Sequence, residues 1–244
     1  MKALITGASA GLGAAFADNL AAQNVSVLSL DRVTSPKHET LICDLSDRAA
    51  LDATFANPTA RAPFDWLILN AGASATGKFE DLPVEAMLKL IRLNAEAPMV
   101  LASHLLGSNA ISTSGHIVLV SSLSHFTGYP GAAAYAASKS ALAVFGTSIR
   151  KAARARGVSV TIAYPGPLAT DHAARHAPKG ANAKARMAPE IAAAAILSAA
   201  KAGRKTAIPG MPNKIGALLG WLEPGMMTWA MRKIIYERLD RSVY

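Results

Sequence analysis

The sequence predicts an α/β fold in which a doubly wound parallel sheet carries helices on both faces. Three observations support this. Over the first 165 residues, short β-rich runs alternate with longer helical stretches. The strand-like runs are solidly Val, Ile and Leu, with no regular polar alternation. A glycine-rich segment, Thr6-Gly7-Ala8-Ser9-Ala10-Gly11-Leu12-Gly13, links the first strand to the first helix. Strands covered on both faces have no wet side, which is the condition of a parallel sheet clothed by crossover helices.

In chain order, strands are expected at 3–6, 25–30, 40–42, 66–69, 116–120, 158–163 and 205–208. Helices are expected at 13–23, 49–55, 84–106, 133–155 and 189–202. The stretch 84–106 reads as one long apolar helix, bent by Pro98, whose ring lacks an N–H. Residues 167–188, rich in Ala, His, Lys and Pro, read as a mobile loop able to act as a lid. Lys179, Lys184 and Arg186 within it would favour a substrate bearing an anionic group. Residues 1–212 form the body. Residues 213–244 form an amphipathic extension, with Leu218, Leu219, Leu222, Met226, Trp229, Ile234 and Leu239 set among Lys and Arg. The favoured reading packs this extension on the body or on a partner subunit. Attachment to a membrane surface is weakened by Pro224 and Gly225, which break the run.

Composition removes several classes. A chain of 244 residues can bury a full core without disulfides or metals. With 51% hydrophobic and 17% charged residues, disorder is excluded. Cys43 is the single cysteine and reads as a small buried residue, so no internal disulfide forms. Met1-Lys2-Ala3-Leu4-Ile5-Thr6 is no signal peptide, and no apolar run reaches the ~18–20 residues of a membrane span, so the cytoplasm is the expected location. The formal charge of +9 is uneven: residues 1–149 hold 9 Lys/Arg against 11 Asp/Glu, and residues 150–244 hold 16 against 5. Without zinc-finger spacing or an aromatic RNA-binding signature, that basic half reads as a solvated surface and not a nucleic-acid site. His104, His116 and His125 lack ligand spacing, and His172 and His176 lack a third ligand, so no metal is expected.

The glycine segment has the layout of a phosphate cradle. Gly7, Ser9, Gly11, Leu12 and Gly13 let the backbone turn sharply and approach phosphate oxygens, and the following helix N-terminus adds partial positive charge. The second strand ends at Asp31, which can accept hydrogen bonds from the adenosine ribose hydroxyls and would repel a 2′-phosphate. That points to NAD, although Arg32 beside it can grip the 2′-phosphate of NADP. Asp44, after the third strand, serves either the adenine end of such a cofactor or a turn cap.

Tyr135 and Lys139 lie one turn apart on a predicted helix, and Ser122 lies at the end of a strand, at the carboxyl edge where ligands bind. A phenol ordinarily ionises near pH ~10; a nearby ammonium and a positive nicotinamide ring would both bring it down toward the working range.

Taken together, Thr6-Gly7-x-x-x-Gly11-x-Gly13, Asp44-Leu45, Asn70-Ala71-Gly72, Asn94, Ser122, Tyr135-x-x-x-Lys139 and Pro165-Gly166-x-x-x-Thr170 resemble the short-chain dehydrogenases/reductases over residues 1–170. The resemblance implies a single-domain Rossmann-like fold with seven parallel strands. It also implies hydride transfer between a secondary alcohol or ketone and NAD(P), through a tetrad of Asn94, Ser122, Tyr135 and Lys139. In that scheme Tyr135 moves the proton, Lys139 lowers its pKa and holds the nicotinamide ribose, Ser122 orients the carbonyl, and Asn94 supports a water chain. Asn70, Ala71 and Gly72 would line the adenine ribose, with Asp44 and Leu45 at the adenine end. Pro165, Gly166, Leu168 and Thr170 would carry the nicotinamide, Thr170 reaching the phosphates. A homodimer or homotetramer is implied, with helices 84–106 and 133–155 pairing across a two-fold through Ala133, Ala136, Ala137 and Ala141. A catalytically silent nucleotide-binding regulator with the same fold is the alternative, and the complete tetrad argues against it.

Overall fold

The computed structural model describes residues 1–177, 181–239 and 241–244. Seven strands, β1 (Lys2–Thr6), β2 (Ser26–Asp31), β3 (Glu39–Ile42), β4 (Phe64–Leu69), β5 (Ile111–Val120), β6 (Ser159–Ala163) and β7 (Thr206–Ala207), form one sheet in the order β3-β2-β1-β4-β5-β6-β7. Every pairing is parallel. The chain therefore leaves β1 in one direction and resumes at β4 in the other, creating a switch point between those two strands.

Successive residues of one strand feed opposite cores, and this explains the solid apolar runs. Ala3 and Ile5 of β1, Ile68 of β4 and Val118 of β5 join one cluster, with Phe16, Leu20 and Ile196. Leu4, Leu67, Ile117 and Leu119 join the other, with Leu101, Leu105 and Leu142. The first cluster is roofed by α1 (Gly11–Ala21) and α9 (Pro189–Lys201). The second is roofed by α5 (Ala97–Gly107) and α7 (Ala133–Ala155).

Several elements depart from expectation. The helix predicted over 84–106 is three pieces: α4 (Val84–Ile91), a π turn at Arg92–Glu96, and α5. The interruption follows from Pro98, which has no N–H to give to the Asn94 carbonyl four residues earlier. The fifth strand begins at Ile111, five residues before the predicted start, because the polar Ile111–Gly115 segment still pairs beside Phe64 through a register shift. Short helices α2 (Arg48–Thr54), α3 (Ala56–Arg61) and α6 (Ser124–Thr127) complete the connections. The predicted lid contains a helix, α8 (Asp171–Arg175), and a bridge between Leu168 and Met187. The extension is two helices, α10 (Met211–Leu222) and α11 (Pro224–Ile234), broken where Pro224 was expected to break them. None of the helices among the described residues is long and apolar enough to cross a membrane.

Candidate active site

The carboxyl ends of β1, β2, β4, β5 and β6 converge on the crevice at the switch point. At its floor, the Thr6 hydroxyl accepts the amides of Asn70 (2.9 Å) and Ala71 (3.0 Å). The Asn70 carboxamide donates back to the carbonyls of Thr6 and Gly7 at 3.2 Å each. This clasp seals β1 to β4, and it places Asn70 in a supporting role at the base of the crevice.

The glycine loop needs its glycines. Gly7 has φ +71°, and a Cβ there would lie 2.9 Å from Ala71 Cα. A Cβ on Gly13 would strike the Gly7 carbonyl oxygen. Gly11, at φ +56°, faces Thr170, whose Cγ2 would be 3.3 Å from an added Cβ. The N-cap of α1 is Ala10, with no side-chain cap, and the first turn holds no acid. Its amides and positive end are thus left to an external anion, and the loop fits a dinucleotide pyrophosphate. Leu12 buries its side chain in the core and brings only main chain to the loop.

Asp31 is buried at the end of β2, where its carboxylate accepts the amides of Ser9 (3.0 Å) and Val33 (3.3 Å). The acid therefore braces the glycine loop. Arg32 is exposed, and its charge is felt by Asp44. The Asp44 carboxylate accepts the Ser46 amide (2.9 Å) and hydroxyl (2.6 Å), and the Ser46 hydroxyl is the main cause of its lowered pKa. Asp44 forms the turn that the sequence offered as one of its readings, and Leu45 beside it is core.

Asn94, fully buried in the π turn, is saturated. Its carboxamide accepts the Ala73 amide (2.9 Å) and donates to the Ala73 carbonyl (2.9 Å) and the Ser138 hydroxyl (3.1 Å). Ser138, which sequence reasoning passed over, in turn donates to the Tyr135 carbonyl at 2.8 Å. Gly72 sits between Asn94 and Lys139: a methyl there would lie 3.0 Å from both Asn94 Oδ1 and Lys139 Nζ. The buried Lys139 ammonium donates to the Val120 carbonyl at 2.8 Å, and burial lowers its pKa to about 8. Ser121 at the end of β5 donates to the Lys139 carbonyl at 2.8 Å, pinning α7 to the sheet.

Tyr135 is half-buried one turn before Lys139, and the Ser122 hydroxyl is near enough to its phenol to influence its ionisation. Burial raises the phenol above its ordinary pKa, while the Ser122 hydroxyl works in the opposite direction. Tyr129 meets the Tyr135 ring edge-on, with centroids 6.3 Å apart.

The far wall comes from three distant segments. The Leu123 amide donates to the Pro165 carbonyl at 3.0 Å, and Gly166 packs directly on Asn213 of α10. Leu168 lies in the bridge to Met187, and Thr170 caps α8 through the Ala173 amide at 3.2 Å while standing over Gly11. On α8, His172 is neutral near neutral pH: burial first, then the charges of His176, Arg175 and Lys139, depress its pKa to about 4. Thr76 and Val243 exchange main-chain hydrogen bonds of 2.8 Å in both directions. The Thr76 hydroxyl also lies 3.2 Å from His176 Nδ1. Lys179 lies outside the described residues, Lys184 is exposed and Arg186 is half-buried. Among the described residues, no group of three or more His, Cys, Asp or Glu is placed to hold a metal ion.

A family model described as short chain dehydrogenase matches residues 1–180. An uncharacterized oxidoreductase of Myxococcus xanthus (strain DK1622) is 34% identical over 178 residues, 67% of this chain and 70% of that protein. A short-chain dehydrogenase from Sphingobium yanoikuyae, solved in complex with NADPH, superposes with a TM-score of 0.75 at 25% identity, covering 93% of this chain and 95% of its own. A 4-hydroxyisoleucine dehydrogenase complexed with NADH reaches a TM-score of 0.64, also at 25% identity, over 70% of this chain and 74% of its own.

Proposed function

The chain belongs to the short-chain dehydrogenase family of NAD(P)-dependent oxidoreductases, and from that premise we propose that it interconverts a secondary alcohol and a ketone, with Tyr135 moving the proton. One observation carries the reading. A half-buried phenol within the influence of the Ser122 hydroxyl stands one helical turn from a buried ammonium, at the mouth of a crevice whose glycine loop fits a pyrophosphate.

The cofactor residues follow from placement. Gly7, Ser9, Gly11, Leu12 and Gly13 would hold the pyrophosphate by main chain, Asn70, Ala71 and Gly72 the floor, and Pro165 to Thr170 the nicotinamide end. When bound, the nicotinamide supplies or accepts the hydride. Asp31 favours NAD: its carboxylate has lone pairs beyond the two amides it accepts, and its charge opposes a 2′-phosphate. The two neighbouring structures at 25% identity carry different cofactors, NADPH and NADH, so the assignment rests on this chain's own acid. In the Asp31→Ser protein, the ratio of kcat/KM with NAD to that with NADP is expected to fall about tenfold or more, one such factor being about 1.4 kcal/mol. An unchanged ratio refutes the assignment.

The protein's own groups set the proton chemistry. With its pKa raised by burial, Tyr135 keeps its proton at neutral pH, the state required to protonate a carbonyl oxygen during reduction. Ser122, which takes up part of the phenolate's charge, can hold the same oxygen beside Tyr135. Asn94 positions Lys139 and α7 through Gly72, Ala73 and Ser138. Removing the phenol hydroxyl in Tyr135→Phe is expected to lower kcat about 10²- to 10⁴-fold with cofactor affinity retained. Normal turnover in that protein, measured across a panel of ketones and alcohols, refutes the role.

A further inference from the structure

The α10–α11 pair presents its large apolar side chains outward. The inward face of α10 is made of small residues: Ala217 and Gly220 are buried, and Gly220 packs against the Phe126 carbonyl with no room for a Cβ. Small residues let the backbone sit close on α6, and they leave Ile215, Leu218 and Leu222, spaced for one helical stripe, more than half exposed. In α11 no residue is buried. Trp221 is 71% exposed and Trp229 is 62% exposed, values far from those of tryptophans used for packing. Contiguous apolar exposure on this scale marks a surface that meets something.

We propose that the α10–α11 hairpin is a docking face for an anionic membrane surface. Charge complementarity decides among occupants. Lys214, Arg232, Lys233, Arg238 and Arg241 are all exposed on the extension, where they outnumber its acids, Glu223, Glu237 and Asp240, and Arg232 and Lys233 share the single carboxylate of Glu237. A two-fold contact with a second copy would bring one net-positive patch against another. An anionic headgroup layer instead attracts each of them while the apolar stripe enters the acyl boundary. Tryptophan suits that boundary, since its ring is apolar and its N–H can face the headgroups. A second copy also has other apolar ground, at Leu88 and Ile91 of α4 and Val144 of α7, on elements outside the extension.

The chain reports on this itself. Of its three tryptophans, Trp66 is in the core at 6% exposure, so a change in tryptophan emission on adding vesicles comes from Trp221 and Trp229. The full-length protein is mixed with vesicles of phosphatidylcholine, or of phosphatidylcholine with phosphatidylglycerol, and followed by co-sedimentation and emission. The expected result is binding about tenfold tighter or more to the anionic vesicles, weakened by salt, with a blue shift of emission. The Trp221→Ser/Trp229→Ser double variant, altered at exposed positions, should keep its thermal unfolding and lose at least about tenfold in vesicle affinity. Absence of binding to anionic vesicles overturns the proposal, as does equal binding by the double variant. Light scattering that shows the unaltered protein as an oligomer dispersed by the same substitutions also overturns it, and assigns the face to a second copy.

Discussion

At the scale of single residues, the costliest feature of the site is Lys139. It keeps an ammonium in the interior with one carbonyl partner, and burial draws its pKa from 10.5 to about 8. Between those values the unfolded chain holds a proton that the folded chain has released. The penalty is therefore full below pH 8 and is lifted as pH climbs through 10.5. Lys139→Met, close in volume, is expected to abolish turnover while raising the stability of the cofactor-free protein by about 1–3 kcal/mol at pH 7. The gain should fade toward pH 10.5 in thermal melts, and a melt that instead drops at pH 7 would show the ammonium to be a net stabiliser. Tyr135 and Lys139 could be proposed from their one-turn spacing and Ser122 from its place at a strand end, whereas Asn94 was proposed only through the family resemblance. Ser138 carried a weaker signal, a polar residue one before the lysine on the inner face of an Ala-rich helix. Thr76 carried none, because its partners at 176 and 243 are brought to it only by the fold.

Among elements, α7 matters most, since it bears both Tyr135 and Lys139, and Gly146 decides how closely it lies on the sheet. A Cβ there would come 2.5 Å from Leu119 Cδ1 and 3.0 Å from Ile162 Cγ1. Gly146→Val should therefore force α7 off β5 and β6, costing about 1–3 kcal/mol and lowering Tm by about 3–10 °C, with kcat falling as the tyrosine moves. Retained Tm and kcat would show that Leu119 and Ile162 absorb the side chain freely. The strand positions and the major helices were readable because short apolar runs and a 23-residue helix give strong signals, whereas the order of the strands in the sheet was not. Helix α8 was not: five residues capped by Thr170 are too short for any period. The π turn was half-legible, with Pro98 announcing a disturbance but not its register. The amphipathic pattern of the extension was visible, whereas the direction of its large side chains was not. Only the placement of Ala217 and Gly220 against the body shows that the apolar stripe faces away.

For the molecule as a whole, members of this family commonly assemble, and the proposed self-contact lies on α4 and α7. Leu88 is 48% exposed, Val144 is 61% exposed, and Ala133, Ala137 and Ala141 form a small-residue stripe open to solvent on α7. Leu88→Asp combined with Val144→Lys is expected to shift the protein to monomer in sedimentation-velocity runs. If a dimer persists, the contact lies elsewhere.

Thr76 holds both the α8 segment, through its hydroxyl, and the chain's final residues, through its main chain. Segments some seventy residues apart in sequence are thus tied to one buried residue. Neither can swing aside without loosening the other's anchor, so opening for product departure would be a single concerted event with a single relaxation rate.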